Sequence, residues 1–267
     1  MHAGESSLRL SIGGLRCDLR LVGFRGPLPA RLRRRYAPFL RSPAASDVGL
    51  RLAPMPDRPG RPSPAEVRRE GATTRLLRSD FDVALQDRSG EGRVAPDLYA
   101  FDSFLRVLWT LLLSNAEGGL FHAAGVQAGG LALLFPGRSG AGKSTLARKV
   151  KPPARVLSDE LVPVRRGPRG WEAYGAPFWG EFRAGKATAA DRPLARIAFL
   201  RQGPTLGVRR LSTAETARRL LETYLCFDDD AAAHLAFVSR LAGDVPAVEL
   251  TSPLRSTFAR IRAVLSQ

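Results

Sequence analysis

Apolar and polar residues alternate through LRLSIGGLRCDLRLV, residues 8–22, with a Gly-Gly pair at the centre. A period of two on both sides of a glycine pair predicts a β-hairpin. DVGLRLAP (47–54) and TTRLLRSDFDVALQDRSG (73–90) keep that period and predict further strands, and residues 28–39 predict a short helix. The proline-rich RLAPMPDRPGRPSPAEV (51–67) predicts a loop. After Pro96 the period changes. Leu98, Phe101, Leu105, Leu108 and Leu112 recur at steps of three and four, the spacing of one helical face. Asp97 is placed to cap this helix and Gly118-Gly119 to stop it, with Phe101, Phe104 and Trp109 expected in the core.

Two apolar runs follow, LFHAAGVQ (120–127) and LALLF (131–135), on either side of an AGG turn, which predicts a second hairpin. ARVLSDELVPV (154–164) predicts a buried strand interrupted at Ser158-Asp159-Glu160. LARIAFL, LGVRRLS and AVEL predict strands, whereas TAETARRLLETYLC, DDDAAAHLAFVSRLAG and PLRSTFARIRAVL predict helices. Asp228, Asp229 and Asp230 are expected to cap their helix rather than to hold a metal. The pattern divides the 267 residues into a small, mostly β region, 1–95, for packing or recognition, and an α/β domain, 96–267.

Composition changes this picture little. The net charge of +16 invites a nucleic-acid reading, but the cations are scattered. Only Lys143, Lys149, Lys151 and Lys186 are lysine, and a skew to arginine fits a GC-rich genome better than a DNA-binding face. Nonspecific attraction to polyanions at low salt is expected, specific nucleic-acid binding is not. The best apolar run, Leu105 to Leu113, is short. The opening MHAGESSLRLS lacks the basic-then-apolar plan of a signal peptide, and Cys17 and Cys226 make no disulfide framework. A cytoplasmic protein without membrane contact is expected.

The chemistry is concentrated at residues 122–160. GRSGAGKS, Gly137 to Ser144, fits G-x-x-x-x-G-K-[ST] without a mismatch and lies between a predicted strand and a predicted helix. The glycines let successive backbone N–H groups turn toward phosphate oxygens, and the helix start favours the same anion. The cradle comprises Gly137, Arg138, Ser139, Gly140, Ala141, Gly142, Lys143, Ser144 and Thr145. Lys143 would reach the β- and γ-phosphates of ATP and Ser144 would join a Mg²⁺ shell. In a chain that writes nearly every cation as arginine, a lysine at 143 is itself a signal, because a compact ammonium fits between phosphates better than a guanidinium does.

If the second hairpin turns near Gly129, paired residues sum to 258 or 259, which sets His122 beside Pro136 or Gly137 at the loop's mouth. Asp159 and Glu160 return on the next strand, 16 residues past Lys143 (159 − 143). Beside a phosphate loop, such a pair suits one metal partner and one base for an attacking hydroxyl.

FHAAGV, GRSGAGKST and VLSDELV together resemble the HPr kinase/phosphorylase family, strongly over 118–165 and loosely over 166–250. The likeness is nearest to smaller, divergent members, some of which lie in peptide-modification gene clusters. It implies an α/β P-loop domain related to phosphoenolpyruvate carboxykinase, here preceded by the mostly β region. It implies ATP and Mg²⁺ as cofactors, transfer of the γ-phosphoryl group to a serine of a protein or peptide, and assembly into homo-oligomers. By position, His122 matches the histidine near the transferred phosphate, Lys143 and Ser144 the cradle, and Asp159 the general base. Glu160, the remaining metal residue, stands where the family has a second aspartate. YGAPFWGEF (174–182) falls at the family's glycine-rich loop. There Glu181 is a candidate for the metal shell, and Arg183 or Arg192 for neutralising charge. The N-terminal region does not match that of the full-length kinases. A small-metabolite kinase and a non-catalytic ATP-binding regulator are the alternatives.

Overall fold

The computed structural model describes residues 5–42, 45–56, 62–178 and 189–266. They form two compact units, Met1–Leu112 with Phe227–Asp229, and Leu113–Cys226 with Asp230–Gln267. Among the described residues, no helix is long and apolar enough to cross a membrane.

The first unit begins with the expected hairpin, β1 (Glu5–Ile12) and β2 (Leu15–Val22), whose turn glycines Gly13 and Gly14 both take positive φ. Helix α1 (Leu28–Arg35) and a single 3₁₀ turn lead to β3 (Val48–Pro54). Next come β4 (Glu66–Glu70), β5 (Thr73–Arg78), β6 (Phe81–Gln86), β7 (Ser89–Val94) and α2 (Leu98–Ser114). The seven strands lie in the order β1-β2-β3-β7-β6-β5-β4.

Alternation buries one face, including Leu8, Leu10, Leu19, Leu50 and Val83. The apolar stripe of α2 belongs to the same core. Phe101 and Phe104 meet Phe24 and Phe81 edge-on, and Trp109 Nε1 donates to the Ile12 carbonyl at 2.9 Å. Thus α2, expected to open the second domain, lies up to Leu112 with the first unit, and the division falls at 112/113 rather than 95/96. Asp97 caps it as expected, accepting from Tyr99 N and Ala100 N.

The second unit starts with β8 (Gly118–Ala128) and β9 (Leu131–Pro136), joined by the positive-φ pair Gly129-Gly130. It continues through α3 (Lys143–Lys149), β10 (Arg155–Ser158), β11 (Leu161–Gly167), β12 (Gly170–Tyr174) and β13 (Asp191–Gln202). The remaining elements are β14 (Gly207–Arg210), α4 (Thr213–Leu221), β15 (Tyr224–Leu225), α5 (Ala231–Asp244), β16 (Ala247–Ser252) and α6 (Phe258–Leu265).

The sheet is mixed: β9 and β16 pair parallel with β13, while β10, β11, β15 and β9 pair antiparallel with β8. Its faces carry separate cores. Odd residues of β8, such as Phe121 and Ala123, pack with Leu220 of α4 and Phe237 and Leu241 of α5. The even residues Ala124, Val126 and Ala128 pack with Leu146 of α3 and Phe258 and Ile261 of α6. Helices on both faces of a largely buried sheet make an α/β layering.

Gly118-Gly119 does not stop α2, which ends at Ser114; both glycines lie in β8. Their small size answers a packing need instead, since a Cβ on Gly119 would come within 2.4 Å of Tyr224 Cε2 and 2.9 Å of Phe237 Cε1. Gly119→Ala should therefore cost about 1–3 kcal/mol through overpacking. Urea unfolding checks this, and an unchanged midpoint would refute the packing account.

Candidate active site

The phosphate-loop sequence leaves the buried end of β9 at Pro136 and enters α3 at Lys143. Gly140 and Gly142 hold φ of 83° and 92°, a region glycine enters without steric cost. Ala141 N closes a turn on the Arg138 carbonyl at 3.2 Å. Gly142 precedes α3 with no side chain capping the helix. Lys143 curls back beneath the loop, 6% exposed, and its Nζ donates to the carbonyls of Gly137 at 2.6 Å and Arg138 at 2.8 Å. An ammonium has three donors, so one remains for an anion above the loop.

His122 reaches the loop through strand register. The β8–β9 pairs sum to 259, as in Ala123 with Pro136, and the Gly137 N–H continues the ladder by donating to the His122 carbonyl at 3.1 Å. On the other edge of β8 the sum is 283, shared by Ser158 with Gly125 and Leu161 with His122. Directly opposed residues point to the same face, and so do residues two apart on one strand. Leu161 therefore shares the face of His122, and Asp159, in the bend just before it, lines the same cavity as His122. That is also the face on which α3 packs.

A one-residue shift in β10 between Val156 and Ser158 sets this register. The bend that follows is pinned by Ser158, whose buried hydroxyl donates to the Phe178 carbonyl at 2.9 Å and accepts from Glu160 N at 3.3 Å. Ser158 is thus a positioning residue, one that strand periodicity alone does not reveal. A serine immediately before an acidic pair is the available signal, because its hydroxyl can bond the backbone two residues on.

These elements enclose a cavity of about 450 Å³, a size suited to small ligands. Its walls bring together His122, Lys143, Ser144, Asp159 and Glu160, with Ser139, Gly140, Gly142 and Thr145 supplying the loop side. Arg148, one turn after Ser144 on α3, also lines it and was not anticipated; its i, i+4 spacing from Ser144 could have pointed to it. Burial pushes the Lys143 ammonium below its usual range, while Asp159 and then Glu160 push it back up. Asp159 itself is 3% exposed, a buried carboxylate facing a buried cation.

Among the described residues, no group of three or more His, Cys, Asp or Glu side chains could hold a metal. The oxygens of Ser144, Asp159 and Glu160 nevertheless fit Mg²⁺, which is typically held by one or two carboxylates together with substrate phosphates and water.

Three cradle residues do not line the cavity. Gly137 is spent on the ladder, and Arg138 points outward to Glu222 at 3.7 Å. Ala141 faces a separate cleft. Glu181 and Arg183 lie outside the described residues. Arg192 lies at the start of β13, beside the end of β9 away from the loop: with the Gln127 amide oxygen turned toward it, Gln127 accepts from Arg192 at 3.0 and 3.1 Å. Asp230 caps α5, accepting from Ala233 N at 3.0 Å. A larger hollow of about 600 Å³ on the first unit's sheet is bordered by strand residues such as Arg75 and Asp82, which pair at 2.8 Å. It contains neither a phosphate loop nor a nucleophile with a base.

A family model described as SynChlorMet cassette protein ScmC matches residues 102–229. That span includes every residue named on the cavity wall. No curated protein matches the chain.

The Lys143 environment is testable by ¹³C NMR of reductively methylated protein, which carries four lysines. Lys143 should titrate below the ordinary lysine range, and Asp159→Asn should lower it further by removing its main countercharge. Because the folded value lies below the unfolded one, stability should rise as pH climbs from the Lys143 value toward that of an unfolded lysine. An ordinary Lys143 titration that ignores Asp159→Asn would contradict this electrostatic account.

Proposed function

We propose that the second unit is an ATP-dependent kinase that transfers a γ-phosphoryl group to a hydroxyl, most simply a serine of a protein or peptide. The observation carrying this reading is that the Lys143 loop, His122 and the buried Asp159 share one cavity. Phosphoryl transfer asks a protein mainly to position the reactants and stabilise charge. In this reading, Lys143 and the loop amides hold the β- and γ-phosphates of ATP. Ser144 and Glu160 would hold Mg²⁺, which when bound neutralises charge on those phosphates.

Asp159 accepts the proton of the attacking hydroxyl as the new O–P bond forms and the bond to the β-phosphate oxygen breaks, releasing ADP. Its placement in the cavity with Lys143 and Ser144 sets it where the attacking hydroxyl would approach the γ-phosphate. His122 lines the path of transfer. Arg148, which also lines the cavity, is suited to charge on the moving phosphoryl group.

The test is transfer from γ-labelled ATP with Mg²⁺ to a cell extract of the source organism. A labelled protein or peptide should appear. Lys143→Ala should lose both label and ATP binding. Asp159→Asn should lower transfer by about 10²–10⁴-fold, the usual contribution of a general base, while ATP affinity stays within a few-fold. Loss of ATP binding in Asp159→Asn would remove the base assignment. Label confined to a small molecule would make this a metabolite kinase. ATP binding without transfer would favour a regulatory ATP-binding protein.

A further inference from the structure

We infer that a second cleft, on the other side of the first turn of α3, seats the nucleobase of the nucleotide whose phosphates occupy the loop. The inference rests on reading Gly137–Ser144 as a phosphate loop. Gly142 and Thr145 line both the cavity and this cleft, so one molecule can occupy the two at once. The cleft lies where β13 ends at Leu200, Arg201 and Gln202 and where the chain leaves β16 at Ser252, Pro253 and Leu254. β9, β13 and β16 run parallel here, with Ile197 paired to both Leu134 and Ala247. Ligands of open α/β sheets gather beyond the carboxyl ends of such strands.

The lining has the chemistry of a base seat rather than of another anion site. Leu146, Leu200 and Ile261 supply apolar surface from α3, β13 and α6. Leu254 stands over it at 62% exposure, a large apolar side chain left in water. Its backbone is fixed, because Lys149 Nζ donates to the Leu254 carbonyl at 2.5 Å. That bond also engages one of the two cations in the wall, and the other, Arg201, lies 3.4 Å from Glu249.

The Gln202 amide offers a donor and an acceptor, and the Ser252 hydroxyl offers the same, the groups that read the edge of a base. The interior is small, about 50 Å³. It therefore takes the edge of a planar ring with its outer part in water, and the base should add a modest increment to binding.

Calorimetry on the full chain would compare Mg²⁺–ATP with Mg²⁺ and inorganic tripolyphosphate, which has the phosphates without the base. ATP should bind about tenfold more tightly, a gain of the size expected for partial burial of one ring. Leu254→Ser, at an exposed position, should remove most of that advantage and leave tripolyphosphate affinity as it was. Photolabelling with 8-azido-ATP should mark the peptides containing 200–202 or 252–254. Equal affinities for ATP and tripolyphosphate, or a label placed elsewhere, would overturn the cleft assignment while leaving the phosphate loop intact. If neither ligand binds, the loop reading fails and the cleft assignment falls with it.

Discussion

Strand β8 changes partners on both edges at the same place, and the cavity is the consequence. One edge pairs with β11 up to His122 and with β10 from Gly125; the other pairs with β15 at Leu120 and Phe121 and with β9 from Ala123. The backbone groups at the crossing leave none of this loose. His122 N donates to the Thr223 carbonyl at 2.7 Å, its carbonyl accepts from Gly137 N, and Ala123 N donates to the Glu160 carbonyl at 3.0 Å. Three separate segments, the loop mouth, the acidic bend and the turn after α4, are thereby held within one ladder step of His122. A buried strand cannot leave such groups unpaired cheaply, so the convergence is enforced by hydrogen-bond satisfaction rather than by the site's own side chains.

Packing keeps the crossing in register. The even residues of β8 face α3 and α6 and the odd residues face α4 and α5, so a slip by one residue would exchange the two cores. It would also turn His122 away from α3. Gly119 and Gly125 let neighbouring side chains close over β8: a Cβ on Gly125 would lie 3.1 Å from Val162. The electrostatics then follow from placement. Lys143 is buried by the loop it supports, and the two carboxylates brought in by the bend offset part of that desolvation cost. The glycine-rich loop is thus backed by a buried lysine with two carboxylates close enough to act on it, so the charged groups of the cavity are positioned by the fold itself.

What was legible in the sequence follows from how local each feature is. The His122–Gly137 apposition depends on one short hairpin with a glycine turn, and its arithmetic survives because both strands are regular. The loop, the helix after it and the acidic bend lie within 39 residues, from His122 to Glu160, and each has its own residue signature. Strands β4 and β7 were illegible for the opposite reason. β4 buries only Val67, and β7 places Gly90 and Gly92 on the inner face, where a Cβ would meet backbone at 2.3 Å. Glycines demanded by close strand contact look, in sequence, like turns. Gly118-Gly119 misled in the same way, appearing as a helix stop when their role is to make room for Tyr224 and Phe237.

The two sides of the loop also differ in how the chain builds them. Every residue on the cavity wall falls within 102–229, the stretch that matches the ScmC family model. The cleft on the other side takes its outer wall from Ser252 to Leu254 and Ile261, which lie beyond that stretch. If the cavity performs transfer and the cleft seats the base, the reacting end of the nucleotide is held by a nearly contiguous segment and the other end by residues about a hundred positions away. The tie between them is the Lys149–Leu254 hydrogen bond, which fastens the last turn of α3 to the chain leaving β16. Motion along α3 would then be felt at both ends of the same ligand, so the short helix is both the support of the phosphate loop and the spacer that sets the distance between its two neighbouring sites.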